Sequence, residues 1–364
     1  MIRDDVSQKL NAVAAYDDEG SGLVRVLLKG EAFNYNSIMT LADSDGNRLT
    51  DLEFDIIGDS SCGLFQVHVP GGKYGYLGLD GKFAIQPIYD YAQDFSDDVA
   101  WVGREGKMYI LDRFGNEVLT DPLPNGEYSV VEPFSEGLAR VSIMNMGGFW
   151  GYMSLAYHHD DSANAGLWGY VDKAGKVVVT PQYIFAEDFC GGLAVVCQGK
   201  WTIDKKWDNE YDQGKYWSEE MKWGAINSKG EEAIPCRFDE IKWRPWKPDD
   251  GWDMEITKRY LAARDMESRK WGLIDFKGNW VVEPQFPDIC YPFETSPNGD
   301  MFVFYSRGIW DDSDEPPCGV YSISKRRILI PADEYLDIEF KSDSVVKVAD
   351  NEWGDNGVEI PIPQ

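Results

Sequence analysis

"YHHDD" at Tyr157 sets His158, His159, Asp160 and Asp161 in a row, and these are residue types that ligate a divalent metal. Their spacing opposes it. Adjacent side chains diverge in an extended loop, and no second His, Cys or acid cluster completes a coordination shell. "DSDG" at Asp43 resembles half a calcium loop but lacks the downstream Glu, so Gly46 reads as a turn residue. "GGFWGY" at Gly147 and "AGLWGY" at Ala165 lack the Gly-Lys-Ser/Thr and GxGxxG spacings that cradle phosphates. The cysteines Cys62, Cys190, Cys197, Cys236, Cys290 and Cys318 are scattered without a CxxC pair and read as reduced thiols. Carboxylates are so numerous that any two might be nominated as acid and base; nothing selects one pair. The expectation is a protein without metal, cofactor or enzymatic activity.

Charge narrows the partners. Sixty-three acidic residues against 35 basic ones give a formal net charge of -28. That opposes binding to nucleic acid or an anionic membrane, because phosphate contact depends on cationic neutralisation. A basic protein is the expected partner, with carbohydrate as the other class, and the chain itself is expected to be a monomer. No run of about 18 apolar residues occurs, and the first residues lack a signal-peptide pattern, which points to the cytoplasm.

The elements that must position any site are repeated. "LWGYVDKAGKVVVTPQYIFAEDFCGGLAVV", residues 167 to 196, alternates apolar and polar residues, turns at "DKAG", returns as a β-branched strand and is stopped by Pro181. A short "FAEDF" segment and a "GGLAVV" strand follow. Copies begin at Ser37, Lys73, Lys107, Leu167, Lys222, Lys270 and Cys318. Seven copies of four short strands predict an all-β fold of tandem antiparallel β-repeats, with a closed propeller-like array favoured over an open β-solenoid. Residues 37–350 form the repeat domain, 1–36 an N-terminal segment whose "SGLVRV" is a spare strand offering closure, and 351–364 a tail. Tyr74 and the pairs Trp168–Gly169, Trp223–Gly224 and Trp271–Gly272 are the recurring structural positions, with the tryptophans expected as core wedges between units.

The order of the elements "KWG", "GK.V..PQY" and "F..GLA.V" resembles the WG-repeat family of bacterial proteins, over roughly residues 37 to 350. That resemblance implies an all-β scaffold without shared catalytic residues. It also implies a binding role, in some members an immunity-like role beside bacterial toxins.

Function in repeat proteins resides where the copies differ. Insertions at 143–166, 197–221 and 305–317 all fall between the last strand of one copy and the Trp-Gly strand of the next. A fourth, 242–258, interrupts a copy before its last strand. They carry Trp150, Tyr157, Trp207, Tyr216, Trp217, Trp243, Trp246, Trp252 and Trp310, followed by the acidic run Asp311, Asp312 and Asp314. Aromatics interleaved with charges suit a protein-binding hot spot or a sugar platform. The expected function is therefore a non-enzymatic binding protein presenting an aromatic and acidic rim to a macromolecule. A basic toxin is the leading partner, and a carbohydrate-binding module of the cell envelope is the alternative.

Overall fold

The computed structural model describes residues 3–30, 37–119, 123–124, 128, 130–144, 166–209, 212–242, 259–289, 295–307, 316–350 and 357–363, with backbone alone for 123–124, 144, 201–209 and 212–218. The chain divides into two compact units, Met1–Gln182 and Tyr183–Gln364. In the first, helix α1 (Asp4–Leu10) precedes a sheet of β1 (Ala14–Asp18), β2 (Leu23–Lys29) and β3 (Ile38–Ala42). The second sheet is β4 (Ile56–Ser61), β5 (Leu64–His68), β6 (Tyr74–Gly78) and β7 (Phe83–Tyr89). The third is β8 (Tyr91–Ala92), β9 (Val99–Arg104), β10 (Lys107–Asp112) and β11 (Leu123–Pro124). The fourth is β12 (Val130–Ser135), β13 (Leu138–Met144), β14 (Gly166–Asp172) and β15 (Val177–Tyr183).

The second unit continues the pattern. Its first sheet, the fifth in the chain, is β16 (Phe185–Ala186), β17 (Leu193–Asn209), β18 (Asp212–Asn227) and β19 (Glu232–Phe238). The sixth is β20 (Glu240–Lys242), β21 (Leu261–Arg264), β22 (Trp271–Ile274) and β23 (Trp280–Phe286). The seventh is β24 (Asp288–Ile289), β25 (Met301–Tyr305), β26 (Cys318–Ser322) and β27 (Arg327–Tyr335). The eighth is β28 (Asp337–Ser342), β29 (Val345–Ala349) and β30 (Val358–Pro361). The protein is all-β, and every sheet is an antiparallel meander of the kind from which propeller blades are made.

Seven sequence copies yield eight sheets because sheet and copy are out of phase by half a repeat. The Trp-Gly hairpin of a copy closes one sheet, and its last two strands open the next. Thus β14 and β15 finish the fourth sheet, while β16 and β17 of the same copy begin the fifth. The N-terminal strand read as spare is β2, which lies between β1 and β3 in the centre of the first sheet. Residues outside the copies supply the missing members, β1 and β2 at one end and β30 at the other.

Each sheet buries apolar side chains on both faces. Between the first and second sheets lie Leu27, Met39, Leu41, Phe54, Ile57, Phe65, Val67 and Leu77. Polar side chains bridge neighbouring sheets, Ser61 and Ser96 from the same repeat position and Gln66 and Gln93 from different ones. Gln66 Nε2 donates to Ala92 O at 2.6 Å and Gln93 Nε2 to Val131 O at 2.8 Å, while Ser61 and Ser96 donate to Phe95 O and Phe134 O. At the start of the chain α1 takes the place of a preceding sheet. Its Val6 packs with Ala15, Val24, Val26 and Ala42, and Lys9 Nζ donates to Asp45 O at 2.7 Å.

The hairpins close on one device. The Asp112 carboxylate accepts from the N–H groups of Phe114 and Asn116 and from the Asn116 amide, and Asp43 and Asp275 do the same with Asn47 and Asn279. Asp43 is thereby consumed by its own turn. The turn glycine packs on the preceding sheet. Gly175, at φ 76°, sits against Leu119, where a side chain would have no room.

Candidate partner-binding surface

The Trp-Gly pair is a packing device. Beside Gly169, Gly224 and Gly272 the last strand of the sheet bulges inward. A Cβ on Gly169 would lie 2.6 Å from Pro181 N, one on Gly224 2.5 Å from Ile234 O, and one on Gly272 3.0 Å from Pro284 N. These neighbours are backbone atoms and cannot swing aside. The glycine therefore admits the proline bulge, which interrupts the ladder before it resumes at Trp223–Phe238 and Trp271–Phe286.

The aromatic partner is buried in two of the three copies. Trp168 is 7% exposed and Trp271 is 3% exposed. Trp271 lies beneath two cations: Lys242 Nζ is 4.4 Å from a ring centroid and the Arg264 guanidinium 5.4 Å. Lys242 is held by Asp288 and Ile289 O, and Arg264 by Glu240 at 3.0 Å and by Asp239. The second sheet repeats this arrangement at the same positions, with Asp55 2.7 Å from His68 Nδ1 and the His68 ring packed 4.5 Å from that of Tyr74. Acid, basic side chain and aromatic together form a structural stack.

The fifth sheet departs from it. Ile184 and Cys197 stand where the acid and the cation stand in the sixth. Burial pushes Cys197 up to about 12 and Cys236 to about 11, the latter with help from Glu232. Trp223 is consequently only half-buried and stacks on half-buried Phe185, centroids 5.8 Å apart and planes 9° from parallel. Trp223 still packs against the core between the fifth and sixth sheets, as expected of a repeat wedge, but remains half-open where Trp168 and Trp271 are buried.

From this half-open aromatic pair rises the insertion 197–221. The sequence predicts an irregular loop; the chain instead continues the ladder. β16 pairs only with Val196 and Cys197, and β19 with residues between Trp223 and Ile226. Beyond them β17 and β18 pair only with each other, from Lys200 with Glu219 out to Asn209 with Asp212. The ribbon carries Trp207 on β17 and Tyr216 and Trp217 on β18, with Trp217 opposite Thr202 and Tyr216 opposite Ile203. At its root Lys200 Nζ lies 2.9 Å from the Glu220 carboxylate.

The other predicted contact residues, Trp150, Tyr157, Trp243, Trp246, Trp252, Trp310, Asp311, Asp312 and Asp314, lie outside the described residues. Their connections can still be placed. Residues 143–166, 197–221 and 305–317 each join the second to the third strand of a sheet, whereas 242–258 joins the first to the second and so leaves from the opposite end.

One charged group escaped the sequence reading. Asp59 on β4 and Asp94 just after β8 occupy the same repeat position in adjacent sheets, in "GDSS" and "QDFS", and Arg25 pairs with Asp59. Asp94 keeps contact with solvent, yet the surrounding protein pushes its carboxyl up to about 6; Asp59 adds to the effect and Arg25 opposes it. Aligning the copies on Phe95, Phe134 and Phe189 would have revealed the stripe. Among the described residues no three His, Cys, Asp or Glu side chains form a group able to hold a metal, and no helix is long and apolar enough to cross a membrane.

Among solved structures, the chain is similar to a eukaryotic initiation factor at 11% identity, covering 97% of this chain and 85% of the other, with a TM-score of 0.42. It is similar to the Dos1 propeller at 12% identity, with coverage of 90% and 86% and a TM-score of 0.34. BamB from Moraxella catarrhalis shows 10% identity, coverage of 79% and 80%, and a TM-score of 0.28. No curated protein matches the chain. The model of the WG containing repeat matches residues 74–107, 125–145, 168–207, 223–246 and 271–298, segments that include Tyr74, Trp168, Trp223 and Trp271 with the glycines after them. The chain belongs to the proteins built from the WG containing repeat.

Proposed function

We propose that this protein is a non-enzymatic binding protein whose fifth-sheet ribbon receives a basic protein partner, with neutralisation of a basic bacterial toxin as the role that charge and family resemblance favour. The ribbon is the observation that carries the reading. A two-stranded hairpin extending past its sheet is marginal in water by itself, so its retention in a repeat scaffold calls for a surface to meet. Trp207, Tyr216 and Trp217 supply large contact area at low entropic cost, and the half-open Trp223–Phe185 pair extends that area to the ribbon's root. A net charge of -28 steers a cationic partner toward the chain and repels nucleic acid.

The test compares the full chain with a variant in which residues 200–220 are replaced by Asn-Gly. The expected result is a basic protein retained by the full chain, absent from the variant, and released as salt rises from about 0.05 to 0.5 M, where screening collapses long-range attraction. Reconstitution with that protein, purified, completes it. Retention by the shortened variant refutes the reading. Binding that ignores salt and yields to free sugar would favour the carbohydrate alternative, with Trp223 and Phe185 as the stacking pair.

A further inference from the structure

The ribbon differs from every other strand pair in how its edges are protected. Last strands carry a proline at nearly every turn of the repeat: Pro87, Pro124, Pro181, Pro235, Pro284, Pro331 and Pro361 lie in β7, β11, β15, β19, β23, β27 and β30. Several first strands are cut short, with β8, β16 and β24 only two residues long and β20 three, although β1, β4, β12 and β28 run to five or six. Both devices deny a foreign strand a ladder to join. From Leu193 to Asn227 no proline occurs, and beyond residue 200 neither β17 nor β18 has an outer ladder neighbour among the described residues. This segment therefore presents two long strand edges that carry neither device.

Charge distinguishes the two edges. Lys200 and Glu220 pair with each other at the root; beyond them β17 holds two lysines against two aspartates, whereas Asp212–Glu219 on β18 holds two acids against Lys215. We infer that a basic, extended segment of the partner protein adds as a strand along the outer edge of β18, from Asp212 to Glu219. Main-chain hydrogen bonds then supply affinity, and the acids of β18 select lysine- or arginine-rich strands over acidic ones. The mixed charges of β17 discourage a second strand on the other side. This inference rests on the ribbon being the partner-binding element and adds the mode of recognition.

The probe is an eight-residue peptide alternating Lys and Val, acetylated and amidated, added to the full chain. Amide exchange should slow tenfold or more at alternate residues between Asp212 and Glu219, those whose N–H groups face away from β17. Two further peptides carry N-methyl groups on alternate residues, one for each edge of the added strand. One of them should lose at least tenfold in affinity, while the other binds as the parent does. Equal binding by all three peptides, equal protection by a Glu–Val peptide, or absence of protection overturns strand addition. If the methylated peptides bind undiminished but the Asn-Gly variant binds none, the ribbon recognises its partner through side chains; the functional reading then survives and strand addition falls. Single prolines keep the test open should the shortened variant misfold. Of Lys215→Pro and Tyr216→Pro, neighbours whose N–H groups point opposite ways, only one should abolish peptide binding with β17–β18 exchange protection retained.

Discussion

Replacing Gly169 by alanine isolates the physical reason for the Trp-Gly pair. The added Cβ would stand 2.6 Å from Pro181 N and 2.9 Å from Thr180 C, with Val179 O also in its way. All three are backbone atoms of β15. Restoring ordinary contact requires that strand to retreat by about 1 Å, which strains the bulge and weakens at least one ladder hydrogen bond. Overpacking of this kind costs about 1–3 kcal/mol and a weakened buried hydrogen bond about 1 kcal/mol more, so Gly169→Ala should destabilise by roughly 3 kcal/mol. Gly137→Ala is the control. Gly137 adopts a φ of 86° with nothing within 4 Å of its missing Cβ, so alanine there carries only the left-handed penalty of about 1–2 kcal/mol. Urea unfolding separates the two. With a slope of about 2 kcal/mol per molar, the midpoint should fall by roughly 1.5 M for Gly169→Ala and by less than 1 M for Gly137→Ala. Amide exchange in β14 and β15 shows whether the loss is local to the fourth sheet. A Gly169→Ala midpoint equal to or above that of the control would refute the steric account.

Three other substitutions test separate parts of the scaffold. Trp271→Ala empties an interior site and strips Lys242 of its aromatic face, for a loss of about 3–5 kcal/mol, whereas half-buried Trp223→Ala should cost about half as much; equal losses by urea titration would contradict the difference in burial. Asp98 holds a left-handed φ of 65° where other copies have Gly137 and Gly192, so Asp98→Gly should stabilise by about 1 kcal/mol, the exposed Arg113 pair at 3.4 Å being worth only a few tenths. A fall in thermal midpoint would count against it. Asp94, with its folded pKa of about 6 above the ordinary 3.8, makes the folded chain hold a proton that the unfolded chain releases between these values, so the favourable contribution present at low pH is lost as pH rises through 6. Asp94→Asn should then raise the thermal midpoint at pH 7.5 and leave it unchanged near pH 4, by less than about 1 kcal/mol because the side chain retains solvent contact. A gain of equal size at both pH values would remove the electrostatic explanation.

The segment that forms the ribbon was legible as an insertion before any coordinates. Trp207, Tyr216 and Trp217 stand out because they interrupt a repeat, and the turn at Asp43 reads correctly because a missing downstream Glu leaves only the hairpin to explain Gly46. The half-open state of Trp223 was not legible, for a physical reason. Its own copy matches the repeat as well as those of Trp168 and Trp271, and what exposes it is the residue across the ladder: Cys197 there is too short to cover the ring as Arg264 does in the sixth sheet. Asp59 and Asp94 were missed because their significance lies in proximity between sheets, 35 positions apart in the chain.

By itself the sequence determined the local units, since alternation, Asp-Gly turns and the Trp-Gly and proline offsets are written within a dozen residues. It also determined the charge, and with it the class of partner worth seeking. Tertiary structure decided the rest. Strand pairing is a contest between neighbours of similar pattern, and only packing settled that each copy is shared between two sheets and that residues outside the copies complete the first and last. The same contest extended an apparent loop into a ribbon, because cross-strand hydrogen bonds reward continuation of a ladder in a way no single-strand pattern reveals.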